Sequence, residues 1–376
     1  MGDHGPVTTT HAERVRRNVE ELTGAGLRLP EYAATVIDLL RQAVPYDSVC
    51  LATTDPATGL LTSTFKADLP DARDDVFAHF EYEVDDINLY REISRRRDPV
   101  GVLALDTEGR PEVSPRWREF LVPYFGFHQE LRASFRVEGQ AWGALGLYRQ
   151  SPSSGFSPAE GAFVARLSEE VGRGLRAALV TSTASVDPET PGGPAVVIVG
   201  VDAEVRSATP AALHHLEMLG MSATGELPAV LHVLVSSARG SRDGRPPAVP
   251  RSRVRMPSGE WFVLHAAALA GVDGSTSDVV VTMEPARPPD VVPLVVAAYG
   301  LTEREQDVVR LVLAGVTTAQ IGARLHLSPY TVQDHLKSIF DKAGVRSRRE
   351  LTSQVFFTQY APRMGDQLGP AGWFLG

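Results

Sequence analysis

"LHLSPYTVQDHLKSIFDKAGV", residues Leu325–Val345, contains a helix that starts abruptly and stops abruptly. Ser328 is a good N-cap, because its hydroxyl can accept from a free backbone N–H of the first turn. Pro329 fits the first helical position, where a missing N–H costs nothing. Val332, Leu336, Ile339, Phe340 and Ala343 then recur at steps of three and four, the spacing of one apolar helix face. Gly344 supplies a left-handed stop. The opposite face carries Tyr330, Gln333, Asp334, Lys337 and Asp341. In an arbitrary helix such a face is simply solvated, so its meaning depends on what precedes it.

Upstream, Thr302 and Glu305 form a capping box that opens a helix with Val308, Val309, Leu311, Val312 and Leu313 on its inner side. Gly315 ends it. Thr317 or Thr318 caps a short second helix, with Ile321 and Leu325 inward. A tight turn at His326-Leu327 leads into the helix from Ser328, and a fourth helix begins near Arg348. A short helix, a turn and a longer helix make a helix-turn-helix, whose second helix can enter the DNA major groove.

"LTERE…GVTTAQIGARLHLSPYTVQDHLKSIFDKAGVRSRREL" resembles the LuxR/NarL/FixJ class of DNA-binding domains over about 55 residues. The resemblance implies DNA contacts from Thr331, Val332, Gln333, Asp334, His335 and Lys337, with Ser328 and Lys342 toward the backbone. Thr317, Thr318, Tyr330, Arg346 and Arg348 complete the candidate set, and Lys342, Arg346, Arg348 and Arg349 form a basic cluster suited to phosphate. Many members carry Lys or Asn where this chain has Gln333, and an apolar residue where it has Asp334. The usual base contacts therefore cannot be copied. By chemistry, Gln333 can pair with adenine, and Asp334 can accept from a cytosine amino group.

Charge follows the same division. The 376 residues carry 37 Lys/Arg against 46 Asp/Glu, a net charge of −9. Residues 301–356 hold eight Lys/Arg and six Asp/Glu, so this segment is +2 and the remainder −11. An acidic total argues against broad non-specific nucleic-acid binding but leaves room for one basic module. Cys50 is the only cysteine, which excludes an internal disulfide and points to a reducing compartment. No apolar run approaches a membrane span, and the N-terminus has no signal-peptide core. A soluble cytoplasmic protein with no membrane partner is expected.

The front of the chain divides at polar or proline-rich seams. Residues 1–31 read as a helical or flexible segment. Residues 32–181 run helix, hairpin ("SVCLATTDPATGLLTSTFK"), helices, hairpin, and one long helix opened by Ser157, Pro158 and Glu160. This order resembles a GAF domain. Such domains can enclose a small ligand on one sheet face. Cys50, Phe135, Trp142 and Tyr148 could line such a pocket, with Gly143 and Gly146 leaving room, or could be plain core. Residues 194–285 read as strands and helices that resemble a small PAS domain. Its His214 and His215, with His265, lack a second ligand set at metal spacing, so neither metal nor cofactor is identified. "ARPPDVVP" opens a stiff linker, 286–300, and 358–376 is a tail.

The expected fold is multidomain α+β: a GAF-like α/β domain, a PAS-like α/β domain and an all-α tetrahelical helix-turn-helix at 301–357. The architecture resembles an actinobacterial LuxR-family transcriptional regulator. That implies double-stranded DNA, a second copy of the chain and RNA polymerase as partners, with an unknown small molecule as signal. Two dimer surfaces are available: Leu351 and Val355 on the fourth helix, or Val164, Leu167, Val171, Leu175 and Ala178 on the long helix, where the alternative is packing on its own sheet. The rival functions are a sigma-factor-like promoter-recognition protein, or an enzyme with an appended DNA-binding domain. The first lacks an upstream basic, aromatic-rich helix. The second lacks a nucleophile elbow, P-loop, HExxH or kinase signature.

Overall fold

A computed structural model describes residues 9–69, 73–181, 191, 193–241, 250–270 and 278–360. Most of the polar seam at 182–193, and the tail of 358–376 beyond residue 360, lie outside the described residues. The chain divides into two compact units. The larger carries most of the residues up to Glu284, and the smaller carries the C-terminal helices.

In the larger unit, α1 (Thr9–Leu22) and α2 (Leu29–Ala43) precede β1 (Ser48–Thr54) and β2 (Leu61–Ala67). The β1–β2 hairpin turns at Asp55–Gly59 as expected: the Asp55 carboxylate accepts from the Ala57 N–H, and Gly59 takes φ +73°. Helices α3 (Asp74–Tyr82) and α4 (Tyr90–Ile93), strand β3 (Val100–Val102) and helix α5 (Leu103–Asp106) follow. A π-helical stretch, Trp117–Phe125, then leads to β4 (Gln129–Val137) and β5 (Gln140–Arg149). The antiparallel sheet has the order β2-β1-β5-β4-β3.

One face of this sheet, with Val49, Leu51, Leu131, Ala133, Phe135, Leu145 and Leu147, forms the main core beneath α1, α2 and the closing helices. The closing segment was expected to be one helix. It is two, α6 (Pro158–Arg166) and α7 (Ser168–Ala178). At the junction Ser168 is tied to the sheet: its hydroxyl donates to the Ser134 carbonyl and accepts from the Arg136 N–H. The stripe Val164, Leu167, Val171, Leu175 and Ala178 lies inside this core, so packing on its own sheet is the reading the structure favours. Each such fully buried aliphatic side chain contributes roughly 1.5–3 kcal/mol.

The second sheet is built from β6 (Ala195–Val199), β7 (Val205–Ala208), β8 (Arg251–Arg255), β9 (Trp261–Ala268) and β10 (Val279–Pro285), with α8 (Pro210–Met218) and α9 (Ala229–Gly240) between β7 and β8. Its order, β7-β6-β10-β9-β8, repeats that of the first sheet. Helix α9 packs against α3 and β2. The approach is close: a Cβ on Gly240 would lie 2.2 Å from the Tyr82 carbonyl oxygen. Arg253 adds a clamp, giving its backbone N–H and its Nε to one oxygen of Asp55 and its Nη2 to the other, at 2.9, 2.9 and 2.6 Å.

In the smaller unit, residues read as a linker are largely helical. α10 spans Pro288–Ala298. Pro288 and Pro289 suit a first turn, where their missing donors cost nothing. Val291, Leu294, Val295 and Ala298 then follow helical spacing and are buried. Four further helices, α11 (Glu303–Leu313), α12 (Thr318–Leu325), α13 (Pro329–Ala343) and α14 (Arg348–Tyr360), complete the unit. Helix α10 lies against α14, and Leu351 and Val355 are buried. Their expected role as a dimer surface is therefore corrected: α14 turns these side chains into its own unit, which leaves them no exposed area for a second copy.

Candidate nucleic-acid interface and ligand cavity

The capping residues set the helix-turn-helix. The Thr302 hydroxyl accepts from the Glu305 N–H at 3.3 Å, and Glu305 accepts in return from the Thr302 N–H at 2.7 Å. Thr317 and Gln320 repeat the reciprocal pair on α12. His326 ends α12 at φ +54°, a left-handed cap that Gly usually supplies. Here a Cβ on Gly322 would stand 2.8 Å from the Leu327 carbonyl oxygen, so the turn depends on glycine one turn earlier. The Ser328 hydroxyl accepts from the Thr331 N–H at 3.1 Å and starts α13, and Gly344 ends it at φ +66°.

Helix α13 is two-faced. Val332, Leu336, Ile339 and Ala343 are buried against α11 and α12. Tyr330, Gln333, Asp334, Lys337 and Asp341 are exposed, with Tyr330 81% accessible; Thr331 and His335 are half-buried. Ser328 is exposed at the N-terminus of the same helix, Thr317 is exposed as the α12 cap, and Thr318 is half-buried beside it.

Three assigned contacts change their meaning. Val332 has no exposed surface, so it holds α13 on the core and does not face DNA. Lys342 gives its ammonium to Glu305 at 2.6 Å. Arg348 donates from Nη2 to the carbonyls of Val312 and Val316 at 3.1 and 2.6 Å, satisfying the end of α11. Both cations are spent inside the unit. Arg346 and Arg349 remain exposed.

Glu305 is the residue that sequence reasoning undervalued. It is 4% exposed, yet besides its cap it accepts from the Ser338 hydroxyl and the Lys342 ammonium, both at 2.6 Å. Burial opposes its charge, but the hydrogen bonds from Lys342, Ser338 and Thr302 overcome this and hold its carboxyl at about 2. The capping box revealed the first bond. Nothing local could reveal partners 33 and 37 positions away.

A second site lies on the other face of the first sheet. Lys66, Cys50, Gly146 and Arg132 stand in one row across β2, β1, β5 and β4. Above this face is a cavity of about 40 Å³, lined by aromatic rings that include Phe77, Tyr90, Phe127 and Tyr148, by Ala229 and Val233 of α9, and by the charged side chains of Lys66, Arg73 and Asp74. Of the four expected pocket residues, Cys50 and Tyr148 line it. Phe135 does not: it lies in the core on the opposite face, near Gly143. Trp142 is buried beside the Arg176 guanidinium, 5.8 Å from its ring, and is not among the lining residues. Gly143 makes room for the Leu175 side chain of α7, whereas Gly146 leaves space for the Tyr148 hydroxyl. Burial pushes the Cys50 thiol up to about 11, so it stays protonated and is a poor nucleophile. Among the described residues no group of His, Cys, Asp and Glu is placed to hold a metal, and no helix is long and apolar enough to cross a membrane.

A capped helix pair with a buried inner face and a polar, exposed outer face defines a helix-turn-helix DNA-binding module. Residues 300–355 match the description "Bacterial regulatory proteins, luxR family". The chain is 32% identical over 66 residues to the spore germination protein GerE of Bacillus subtilis (strain 168), covering 18% of this chain and 81% of that protein. The chain belongs to the luxR family. It is also 46% identical over 55 residues to a Mycobacterium bovis protein described as an HTH-type transcriptional regulator, a match that spans 15% of this chain and 6% of that protein's length. Among solved structures, the GAF domain of an Acinetobacter phosphoenolpyruvate-protein phosphotransferase is 15% identical, with 45% of this chain and 93% of that chain covered at a TM-score of 0.30. The Vibrio cholera VqmA–ligand–DNA complex is 17% identical, with 44% and 83% covered at a TM-score of 0.24.

Proposed function

We propose that the chain is a DNA-binding transcriptional regulator that reads the major groove with α13, under the control of a small molecule or partner acting on its two N-terminal sheets. The exposed face of α13 carries this reading. Tyr330, Gln333, Asp334 and Lys337 project from a helix whose other side is fixed by Val332, Leu336 and Ile339. Gln333 and Asp334 are the base readers, with adenine and cytosine as their chemical complements. Ser328, Tyr330, Thr331, Lys337, Arg346 and Arg349 serve the phosphates, which set position and not sequence. Thr317, Thr318 and His335 border that face.

A module of this size makes few base contacts, so a homodimer on paired half-sites about 10–10.5 base pairs apart is part of the proposal. So are action in the cytoplasm, a contact with RNA polymerase and the sensory role of the GAF-like and PAS-like sheets. The test is selection of bound duplexes from a random pool with the full chain, followed by footprinting. Enrichment of a paired site is expected. A pool that returns no sequence preference at low and moderate salt sinks the reading.

A further inference from the structure

A cleft of about 470 Å³ is lined by Arg73 and Asp75 at the start of α3, by Asp202 and Glu204 of the β6–β7 turn, by Glu226 ahead of α9 and by His232 of α9. His232 is 5% exposed. Its ring donates to the Leu227 carbonyl, and its Nε2 has no hydrogen-bond partner among the described residues. The donor is therefore Nδ1. Burial lowers the pKa of the ring against the opposing pull of Asp75, Asp74 and Glu226, so the imidazole is neutral near pH 7. A neutral imidazole that donates from Nδ1 carries a lone pair on Nε2. A buried acceptor without a donor costs free energy, and only an incoming N–H or O–H group recovers it.

The surrounding charge says what kind of donor fits. Arg73 is the lining residue with a fixed positive charge, and its Nε and Nη2 already donate to the two oxygens of Asp75, at 3.1 and 3.0 Å. Asp74, which also acts on the ring, is held by the Lys66 ammonium at 2.5 and 2.7 Å. Asp202, Glu204 and Glu226 line the same cleft, are exposed, and add three carboxylates beyond those pairs. They favour a positively charged occupant. Their spacing does not suit a bare metal ion, because among the described residues no group of His, Cys, Asp and Glu is placed to hold one. A volume of about 470 Å³ lies within the roughly 300–1,000 Å³ of small-molecule sites. An extended organic cation meets all of these conditions: its N–H groups supply a donor for Nε2, and its separated charges answer separated carboxylates.

We propose that this cleft binds a small aliphatic diamine or polyamine, with one ammonium donating to the His232 Nε2 and another lying among Asp202, Glu204 and Glu226. The inference stands apart from the DNA-binding reading and does not depend on it. Helix α3 belongs with the first sheet, whereas the β6–β7 turn and α9 belong with the second. An occupant of the cleft therefore touches elements of both and adds a link to the packing of α9 on α3.

Three probes test this on the full chain by calorimetry: 1,4-diaminobutane, magnesium ion and 1,4-butanediol. The diamine and the metal ion carry the same charge, and the diol keeps the carbon chain without it. The diamine should bind about tenfold more tightly than either, because it alone offers both charge and N–H donors. His232→Phe keeps a ring but removes the acceptor, and should weaken diamine binding by about tenfold, the worth of a hydrogen bond to a charged group. Glu204→Gln and Glu226→Gln should each weaken it by up to about fivefold, the worth of one exposed ion pair. Both lie at exposed positions and keep the test open where His232→Phe fails to fold. Absence of diamine binding, or parity with magnesium ion as a diffuse acidic patch would give, overturns the proposal. So does a diol that binds as tightly as the diamine, or a diamine affinity unchanged in folded His232→Phe or in both glutamine variants.

Discussion

Two buried polar networks of this chain differ in how completely they are satisfied. In the helix-turn-helix, Glu305 receives the Thr302 N–H, the Ser338 hydroxyl and the Lys342 ammonium, and no partner on its carboxylate is left over. Under the first sheet, Arg116 is fully engaged by Asp86, Glu130 and the Ile87 carbonyl, but its neighbour Arg132 keeps two N–H groups without acceptors. The first network locks α13 onto α11, so that the outer face of α13 is presented in one orientation. The second ties β4 to α3 and to the segment after it, with two N–H groups of Arg132 left without acceptors. A fully satisfied network suits a rigid reader of DNA.

The largest effect is expected from breaking the sheet network. Arg116→Met leaves Asp86 and Glu130 buried without their cation, which costs about 3–5 kcal/mol. Chemical denaturation followed by the tryptophan fluorescence of the first sheet should show this loss, and a change below about 1 kcal/mol would mean that water already reaches the cluster. Glu305→Gln is expected to cost less, about 1–3 kcal/mol, because the amide can still accept from Ser338 but loses the charge opposite Lys342. Hydrogen exchange at the α11 and α13 amides should accelerate, while the sheet amides keep their protection.

The pH dependence of the closed network has a definite sign. Glu305's carboxyl is lowered in the folded chain, from an ordinary 4.5 to about 2. Its contribution is therefore fully present above about pH 4.5 and is lost as pH falls toward 2. Protection of the α11 and α13 amides should fall over that window, and Glu305→Gln should flatten the fall. A variant whose protection falls as steeply as that of the parent chain would assign the acid sensitivity to other carboxylates.

The two networks were not equally legible. The helix-turn-helix could be read because its signals are local: Thr302 with Glu305, Thr317 with Gln320, Ser328 before Pro329, and Gly344 after the last apolar residue. Each lies within one turn of its partner, and the structure places each as a cap. The bonds of Lys342 to Glu305 and of Arg348 to the Val316 carbonyl are invisible in the sequence, because composition shows a cation but not what it touches, and these partners are distant along the chain. In the first sheet, the alternation of Leu131, Ala133 and Phe135 with Arg132 and Ser134 marks one apolar face, and the structure puts Leu131, Ala133 and Phe135 in the main core. It could not show that the polar face would also be covered, since the rings that cover it come from α3, α4 and a π-helical stretch with no regular period. Phe135 was put in the pocket for the same reason: aromatic character was visible, but its facing was overlooked. The helix α10 was hidden by its prolines, which read as a linker unless the buried Val291, Leu294, Val295 and Ala298 are counted with them.

On DNA, the comparison narrows to two lysines of one helix. Lys337 is exposed, and Lys342 is bound to Glu305. Lys337→Ala should reduce the slope of log affinity against log salt by roughly one, the signature of a lost phosphate contact. Lys342→Ala should leave the slope unchanged and lower the protection of α13 instead. Equal changes of slope in both variants would show that the Glu305 pair opens when DNA binds.

Gln333→Ala is the smallest perturbation of the folded chain and the most specific test of the reading. Gln333 is exposed, so stability should change by no more than about 0.5 kcal/mol. If its amide pairs with an adenine edge, the substitution removes discrimination at one base position, worth about 1–3 kcal/mol, and leaves the remaining positions intact. The salt slope should not move, because no phosphate contact is lost. The sites selected from a random pool by parent and variant should then differ at one position in each half-site. Identical selected sites would take Gln333 out of the base-reading role and leave Asp334 as the residue of that face with the chemistry to specify a base. A general loss of affinity without loss of preference would place Gln333 on the phosphates.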